Sequence, residues 1–306
     1  MNRAFLFPGQ GSQYVGMTKR VERVYPLARE IFERADEVLG FPLYALTDKG
    51  REEELTSTEN AQPAILMVSV AWAKFLMEEG IQPHFLCGHS LGEFSALVIS
   101  GALEFEEGLW LVRRRGLLMQ EATAEIPGGM LAIIGLCKEK TEEVAKEACS
   151  FGKIELANIN SPEQVVLSGE LTALERAQEI AMEKGARLVK FLPVSAPFHS
   201  SLMSKVAQRF SKELEKISLR DARLPVVLNA SLQPTKDKEA IREALIFQIN
   251  HAVNWVGILR TLHLSGAEEM WELGPKAVLT GLVKRTLPGI RALSVEEVYQ
   301  KETVQV

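Results

Sequence analysis

A serine between two glycines most constrains the fold of this chain, because residues 88–92 read Gly-His-Ser-Leu-Gly. The apolar run 85–87 before it predicts the end of a buried strand, and residues 93–99 have the apolar spacing of a helix that ends at Gly101. A turn this tight leaves room only for glycine beside its apex. The pattern predicts an α/β fold with Ser90 as a nucleophile at a helix N-terminus, although a glycine-rich turn with a surface serine has the same sequence.

A catalytic serine needs a base, because its hydroxyl is a weak nucleophile at its ordinary pKa. The chain contains five histidines, which are His84, His89, His199, His251 and His263. His199 is the favoured base, since it follows the strand-like residues 187–192 in a loop that Pro193 and Pro197 make rigid. His89 adjoins the serine in sequence, so its ring is expected to support the turn.

The usual third member of a catalytic triad is missing from its expected place. No aspartate lies between Ser90 and His199, and the glutamates of that stretch fall mostly on polar helix faces. None of the four aspartates of the chain precedes a glycine, as a patatin-like Ser–Asp pair requires. We therefore predict a Ser–His dyad whose imidazole is oriented by a backbone carbonyl.

An arginine, Arg115, interrupts an apolar face of the predicted helix 108–122. The other residues of that face, at helical spacing, are Leu111, Val112, Leu118, Met119 and Ala122. A guanidinium that faces the core needs a partner, because an unpaired buried charge is strongly destabilising. In one interpretation the partner is an internal acidic or carbonyl group, and in a second only the aliphatic stem of Arg115 is buried. In a third the partner is a substrate carboxylate held by two parallel hydrogen bonds.

Six short motifs are spread from one end of the chain to the other. They are Phe-Leu-Phe-Pro-Gly-Gln-Gly-Ser-Gln at 5–13, Gly-His-Ser-Leu-Gly-Glu at 88–93, Arg-Arg-Arg-Gly at 113–116, Asn-Ser-Pro at 160–162, Phe-His at 198–199 and Glu-Leu-Gly-Pro at 272–275. Together, and in this order, they resemble the malonyl-CoA:acyl carrier protein transacylases, the acyltransferases of type II fatty acid synthesis and of polyketide synthases. The set is far more specific than any one motif.

The resemblance implies catalytic roles for five residues. Ser90 is then the nucleophile and His199 the base. The backbone N–H groups of Gln10 and Leu91 form the oxyanion hole, and the main-chain carbonyl of Gln248 orients the histidine.

The resemblance also implies the substrate contacts. Arg115 is expected to anchor the malonyl carboxylate, and Phe198 to line the pocket for the α-carbon and to favour malonyl over the branched methylmalonyl group. Gln10, His89 and Asn160 are the further residues expected to bind substrate.

The implied reaction moves a malonyl group from coenzyme A to the thiol of acyl carrier protein in fatty acid biosynthesis, by a ping-pong mechanism with a malonyl-serine intermediate. Malonyl-CoA and acyl carrier protein are the expected partners. Because the coenzyme A thioester is itself a substrate, neither a cofactor nor a metal is expected. A standalone acyltransferase of a polyketide pathway, a serine thioesterase or esterase, and a non-catalytic carrier-protein docking module remain alternatives.

Composition disfavours several other classes of protein. Three cysteines without paired spacing indicate neither a disulfide framework nor a zinc site. A net charge of −5 without a basic tract disfavours nucleic acid as a partner. The apolar stretch 61–77 includes glutamine, proline and lysine, which predicts a buried helix and no membrane association. The first residues lead directly into a predicted strand, so we expect no signal peptide and a cytoplasmic location. A monomer is also expected.

The segment 129–191 has its own order of predicted elements, which is strand, helix, strand, strand, helix, strand. That order is the ferredoxin-like pattern. We predict a ferredoxin-like small domain at 125–194, inserted into an α/β-hydrolase-like large domain formed by 1–124 and 195–306. The large domain has predicted strands near residues 4, 85, 226, 270 and 292. The site is expected in the cleft between the two domains.

Overall fold

The computed structural model describes residues 1–194 and 196–302 and has a mixed α/β fold with two sheets. The strands are β1 (Arg3–Phe7), β2 (Phe85–Gly88), β3 (Gly129–Ile134), β4 (Ile154–Ser161), β5 (Gln164–Gly169), β6 (Leu188–Phe191), β7 (Val226–Val227), β8 (Pro234–Thr235), β9 (Val253–Asn254), β10 (Glu269–Glu272) and β11 (Arg291–Ser294). The helices are α1 (Met17–Val24), α2 (Ala28–Leu39), α3 (Leu43–Lys49), α4 (Glu52–Thr56), α5 (Thr58–Glu78), α6 (Gly92–Ser100), α7 (Phe105–Glu125), α8 (Lys138–Ala148), α9 (Leu171–Glu183), α10 (Ser204–Leu214), α11 (Lys238–Asn250), α12 (Trp255–Leu264), α13 (Val278–Thr286) and α14 (Val295–Glu302).

The larger sheet has the strand order β11-β10-β1-β2-β7-β8. Its first five strands are parallel, and β8 pairs antiparallel with β7. The predicted strand positions near 4, 85, 226, 270 and 292 all lie in the parallel strands, which confirms that part of the sequence analysis. Ligands of such sheets bind outside the carboxyl ends of the strands, and β2 delivers Ser90 to that edge.

Apolar helices cover both faces of the larger sheet. Phe5 and Phe7 of β1 lie in the core that includes residues of α5 and α7, whereas Ala4 and Leu6 lie in the core under α12 and α13. This alternation is the side-chain period of a strand. The stretch 61–77 lies within the buried helix α5, as predicted. Within the described part of the chain, no helix has the length and apolar character needed to cross a membrane.

The smaller sheet has the strand order β6-β3-β5-β4-β9. β3 pairs antiparallel with both β5 and β6, and β4 pairs antiparallel with β5. Leu131 and Ile133 of β3 pack with residues of α8 and α9, while Met130 joins the main core. The predicted succession of strands and helices over 129–191 is confirmed.

One strand of the smaller sheet comes from outside the segment 125–194. β9 adds a parallel strand beside β4, pairing residues 158–159 with residues 253–254. Immediately afterwards the Asn254 side chain accepts a hydrogen bond from the N–H of Gly257 at 2.9 Å, so it caps α12. The smaller sheet is therefore completed by the C-terminal part of the chain. At the expected domain boundary, Ser195 lies outside the described residues, as do residues 303–306.

Candidate active site

Ser90 lies at the apex of the turn between β2 and α6. Its φ of 51° is in the left-handed region, where a non-glycine residue is strained. A Cβ on Gly88 would lie 1.9 Å from the carbonyl carbon of Gly92, and a Cβ on Gly92 would lie 1.9 Å from the carbonyl oxygen of Phe7. No side chain fits at either position. The turn is thus the strand-to-helix elbow that the sequence predicts.

Asn229 holds this turn from the loop after β7, the neighbour of β2. Its Nδ2 donates to the carbonyl oxygen of Gly88 at 2.8 Å, and its Oδ1 accepts from the N–H of Ser90 at 3.2 Å. The side chain therefore bridges the carbonyl of Gly88 and the N–H of Ser90, and it holds the backbone that leads into the strained residue. The sequence pattern did not predict a role for Asn229, for which the only signal is a polar residue at the end of a predicted strand.

His199 is in hydrogen-bond contact with the serine. Its Nε2 lies 2.9 Å from Ser90 Oγ, and its Nδ1 lies 2.7 Å from the main-chain oxygen of Gln248. Because a carbonyl oxygen only accepts, Nδ1 carries the proton and Nε2 is left to accept from the serine hydroxyl. Burial, and next the charge of Arg115, lower the pKa of His199 to about 3. The ring is therefore neutral at neutral pH.

Arg115 points from α7 to the same serine. Its side chain is 1% exposed, and one terminal nitrogen donates both to Ser90 Oγ at 3.1 Å and to Gln248 Oε1 at 3.0 Å. The other terminal nitrogen donates to Gln62 Oε1 at 2.9 Å. These partners are neutral, and its Nε has no hydrogen-bond partner among the described residues. Burial lowers the pKa of Arg115 to about 10, which leaves it charged at neutral pH.

A close helix crossing places Arg115 beside Gln62. A Cβ on Gly116 of α7 would lie 2.6 Å from the Cα of Glu59 of α5, so only glycine allows the two helices to approach this closely. Gln62 is completely buried. The sequence pattern did not predict that Gln62 contacts Arg115. A polar residue in the apolar stretch 61–77 is nevertheless the same kind of signal that drew attention to Arg115.

Gln10 and Leu91, the expected sources of the oxyanion-hole N–H groups, both line the cavity at Ser90. Leu91 directly precedes α6, at the end of a helix where backbone N–H groups lack intrahelical partners. Gln10 follows β1, and its side-chain amide donates to Thr58 Oγ1 at 3.3 Å. The structure therefore brings both residues to the nucleophile.

His89 and Asn160 contact each other. The distance between His89 Nε2 and Asn160 Oδ1 is 2.8 Å, and the His89 ring packs against Trp255 with 5.4 Å between ring centres. Burial lowers the pKa of His89, so its ring is neutral. His89 lines the cavity at Ser90, but Asn160 does not. The β4 residue that lines the cavity is Asn158. The pair thus joins the elbow to the smaller sheet, in agreement with the supporting role expected for His89.

The cavity at Ser90 has a volume of about 240 Å³ and is bounded by both parts of the chain. The segment 125–194 contributes Met130, Asn158, Leu192, Pro193 and Val194. The remainder contributes Gln10, Gly11, Gln13, Thr56, His89, Ser90, Leu91, Arg115, Met119, Phe198 and His199. Phe198 is 5% exposed and stands in the wall next to His199. The cavity therefore lies between the segment 125–194 and the rest of the chain.

Sequence comparison assigns the class of this protein. The profile of the family described as "Acyl transferase domain" matches residues 4–303. The chain belongs to this family and is an acyltransferase enzyme.

Closer relatives define the group within that family. The chain is 41% identical over 304 residues to a malonyl CoA-acyl carrier protein transacylase of Bacillus subtilis strain 168, covering 99% of this chain and 95% of the relative. It is 41% identical over 295 residues to the protein of the same name from Escherichia coli strain K12, covering 96% of each. A structure of an acyl carrier protein S-malonyltransferase from Vibrio cholerae superposes with a TM-score of 0.94 at 38% identity, covering 100% of both chains. Within the acyl transferase family, the chain falls among the malonyl CoA-acyl carrier protein transacylases.

Proposed function

We propose that this enzyme transfers a malonyl group from coenzyme A to the thiol of acyl carrier protein, in fatty acid synthesis. The names of its relatives support the substrates. The observation that carries the proposal is the buried guanidinium of Arg115, which touches the nucleophile, has neutral hydrogen-bond partners and has an Nε without a partner in the described part of the chain. A malonyl carboxylate supplies the missing anionic partner, because carboxylates bind guanidinium groups through paired charge-assisted hydrogen bonds.

In the first half-reaction His199 acts as the general base. Its Nε2 takes the proton of Ser90 Oγ while that oxygen attacks the thioester carbonyl. The backbone N–H groups of Gln10 and Leu91 stabilise the negative oxygen of the tetrahedral intermediate. When that intermediate collapses, the carbon–sulfur bond breaks, and the proton on His199 passes to the sulfur of the departing coenzyme A.

The second half-reaction runs the same steps in reverse. His199 takes the proton from the carrier-protein thiol as its sulfur attacks the malonyl-serine ester, and then returns the proton to Ser90 Oγ as the ester bond breaks. The carbonyl oxygen of Gln248 stabilises the imidazolium that forms in each half-reaction, since it accepts from Nδ1 throughout. A main-chain carbonyl thus performs the orienting role that an aspartate has in other serine enzymes.

Binding of malonyl changes the partners of Arg115. In the free enzyme one of its terminal nitrogens donates to Ser90 Oγ, the oxygen that must attack. A carboxylate that takes over this donor releases the serine oxygen for attack. The same contact holds the acyl group in one orientation on the ester, which disfavours attack by water.

We also propose the finer description of the fold. The strand order β6-β3-β5-β4 with antiparallel pairing supports a ferredoxin-like unit at 125–194. The parallel sheet with its elbow supports an α/β-hydrolase-like unit formed by 1–124 and 195–306. All the catalytic groups come from one chain, which supports a monomer, and the free thiols of Cys87, Cys137 and Cys149 support a cytoplasmic location.

A second pathway is a specific alternative for the same reaction. One structural neighbour is a malonyl-transacylase in complex with a type II polyketide acyl-carrier protein, with a TM-score of 0.94 and 40% identity over 97% of this chain. The chemistry at Ser90 is the same in both pathways. Comparing kcat/KM for a fatty acid carrier and a polyketide carrier from the same genome distinguishes them.

Intact-mass spectrometry tests the proposal. Incubation with malonyl-CoA is expected to add one malonyl mass, and peptide mapping to place it on Ser90. Addition of holo acyl carrier protein then removes the adduct and produces malonylated carrier. Ser90→Ala, which removes one oxygen atom, is expected to fold and to form no adduct. Hydrolysis of the thioester without transfer to the carrier indicates a thioesterase instead, and adduct formation by Ser90→Ala refutes the choice of nucleophile.

A further inference from the structure

Glu93 is a buried carboxylate that the proposed mechanism does not use. It lies in the first turn of α6, three residues after the nucleophile, and is completely buried. One carboxylate oxygen accepts from the backbone N–H of Asn229 at 2.9 Å, and the other accepts from the side-chain amide of Gln248. A carboxylate without such partners would be strongly destabilising at this depth.

Both partners of Glu93 contact the reacting groups. Gln248 accepts from Arg115 through its side-chain oxygen at 3.0 Å and from His199 through its main-chain oxygen at 2.7 Å. Asn229 bridges the carbonyl of Gly88 and the N–H of the strained Ser90. Glu93 is therefore hydrogen-bonded to two residues, Asn229 and Gln248, which in turn contact the nucleophile, the base and the carboxylate anchor.

The hydrogen-bond chemistry at this position requires two acceptors. The N–H of Asn229 can only donate, and the Gln248 amide nitrogen can only donate. A carboxylate accepts both, whereas an amide in its place offers one acceptor and one donor. With glutamine at 93, either the Asn229 N–H faces another donor, or the Gln248 amide turns over and points its NH₂ group at the guanidinium of Arg115.

We propose that Glu93 is a positioning residue for acyl-group selection: its carboxylate fixes the orientation of the Gln248 amide and, through it, the direction of the Arg115 guanidinium. The proposal rests on the function proposed above, since it takes malonyl as the group that Arg115 binds. Glu93 acts only through Gln248 and Arg115. Its loss is therefore expected to affect substrates that carry a carboxylate more than substrates that lack one.

The charge of Arg115 acts on the same carboxylate. Burial raises the pKa of Glu93, and the hydrogen bonds from Asn229 and Gln248 and the charge of Arg115 limit that rise to about 7. Burial, and next the charge of Glu93, raise the pKa of the Cys87 thiol on β2 well above the usual range. The Cys87 thiol therefore stays neutral, and Arg115 is the cation whose charge lowers the pKa of Glu93.

The test compares Glu93→Gln with Glu272→Gln, measuring kcat and KM for malonyl and acetyl thioesters. Glu272 is also completely buried and accepts backbone N–H groups at the start of α13, so its change controls for the loss of any buried carboxylate. Glu93→Gln is expected to lower the malonyl-to-acetyl ratio of kcat/KM by about 10- to 100-fold, the effect of one lost hydrogen bond to a charged group, mainly through KM. Glu272→Gln is expected to keep the wild-type ratio.

Glu93→Asp is the conservative variant and keeps two acceptor oxygens one methylene further back. It is expected to restore part of the lost ratio, and it remains informative if Glu93→Gln does not fold. A folded Glu93→Gln enzyme with the wild-type ratio, an equal loss in Glu272→Gln, or a Glu93→Asp enzyme no better than Glu93→Gln overturns the proposal. If the wild-type enzyme itself does not transfer malonyl, the proposed function fails instead.

Discussion

Replacement of Arg115 by alanine is the sharpest test of acyl-group recognition. The guanidinium is buried and donates to Ser90 Oγ, Gln248 and Gln62 in the free enzyme. The substitution removes the hydrogen bond from Arg115 to Ser90 Oγ, and this loss affects the reaction with every acyl substrate. It also removes the carboxylate contact that we propose for malonyl and that acetyl has no group to make. The ratio of the two substrates therefore isolates the carboxylate contact from all other effects.

The expected size follows from the hydrogen bonds that are lost. A hydrogen bond to a charged group contributes about 1.5–3 kcal/mol, and a carboxylate bound through two parallel bonds loses about twice that. Since about 1.4 kcal/mol corresponds to a factor of ten, Arg115→Ala is expected to lower the malonyl-to-acetyl ratio of kcat/KM by about 10²- to 10⁴-fold. A loss of this size is expected to reverse the preference, so that acetyl becomes the better substrate.

The assay is release of free coenzyme A from malonyl-CoA and acetyl-CoA in competition, with thermal melting as a check of folding. Arg114→Ala is the matched control, because this neighbour on the same helix pairs with Glu213 at 2.9 Å and is partly exposed. Arg114→Ala is expected to keep the wild-type ratio, because neither Arg114 nor Glu213 lines the cavity at Ser90. Arg115→Lys retains the charge without the planar guanidinium and is expected to be intermediate.

Two results would refute this reasoning. A wild-type enzyme that accepts acetyl as readily as malonyl leaves no selectivity for Arg115 to explain. A folded Arg115→Ala enzyme with an unchanged malonyl-to-acetyl ratio of kcat/KM shows that the guanidinium stabilises the neutral groups around it and does not select the acyl group. In either case the unpartnered Nε of Arg115 would need another explanation.

Three further expectations concern the base, the α-carbon pocket and pH. His199→Ala is expected to slow acylation by about 10²- to 10⁴-fold in rapid-mixing measurements of coenzyme A release, and unchanged acylation would move the base to His89. Phe198→Ser opens the cavity beside the α-carbon, so the methylmalonyl-to-malonyl ratio is expected to rise by the effect of one methyl group, about 1–3 kcal/mol, whereas an unchanged ratio would remove Phe198 from the pocket. Burial raises the pKa of Glu272 to about 7 from an ordinary 4.5, so its stabilising contribution is complete below pH 4.5 and is lost as pH rises through 7. The wild-type melting temperature, relative to that of Glu272→Gln, is therefore expected to fall from about pH 5 to about pH 8, and a pH-independent difference would contradict the raised pKa.

Local sequence patterns predicted the elements that carry the site. The elbow at Ser90 could be predicted because the constraint is local: at Gly88 and Gly92 any Cβ would meet backbone within 2 Å. Arg115 could be selected because helical periodicity determines which side chains share a face, whatever that face contacts. His199 could be selected because few histidines compete for the role and two prolines lie in the segment that leads to it.

The partners of those residues depended on tertiary packing. Gln62 meets Arg115 only because Gly116 lets two helices cross closely, and β9 joins the smaller sheet from more than fifty residues beyond that sheet's other strands. Glu93 contacts Asn229 and Gln248, which lie 136 and 155 residues away in sequence. A hydrogen bond requires atoms to meet within a few tenths of an ångström, and a pattern of residue types contains no such distances. The sequence determined which groups this protein uses, and the packing of its helices and sheets decided which of them touch.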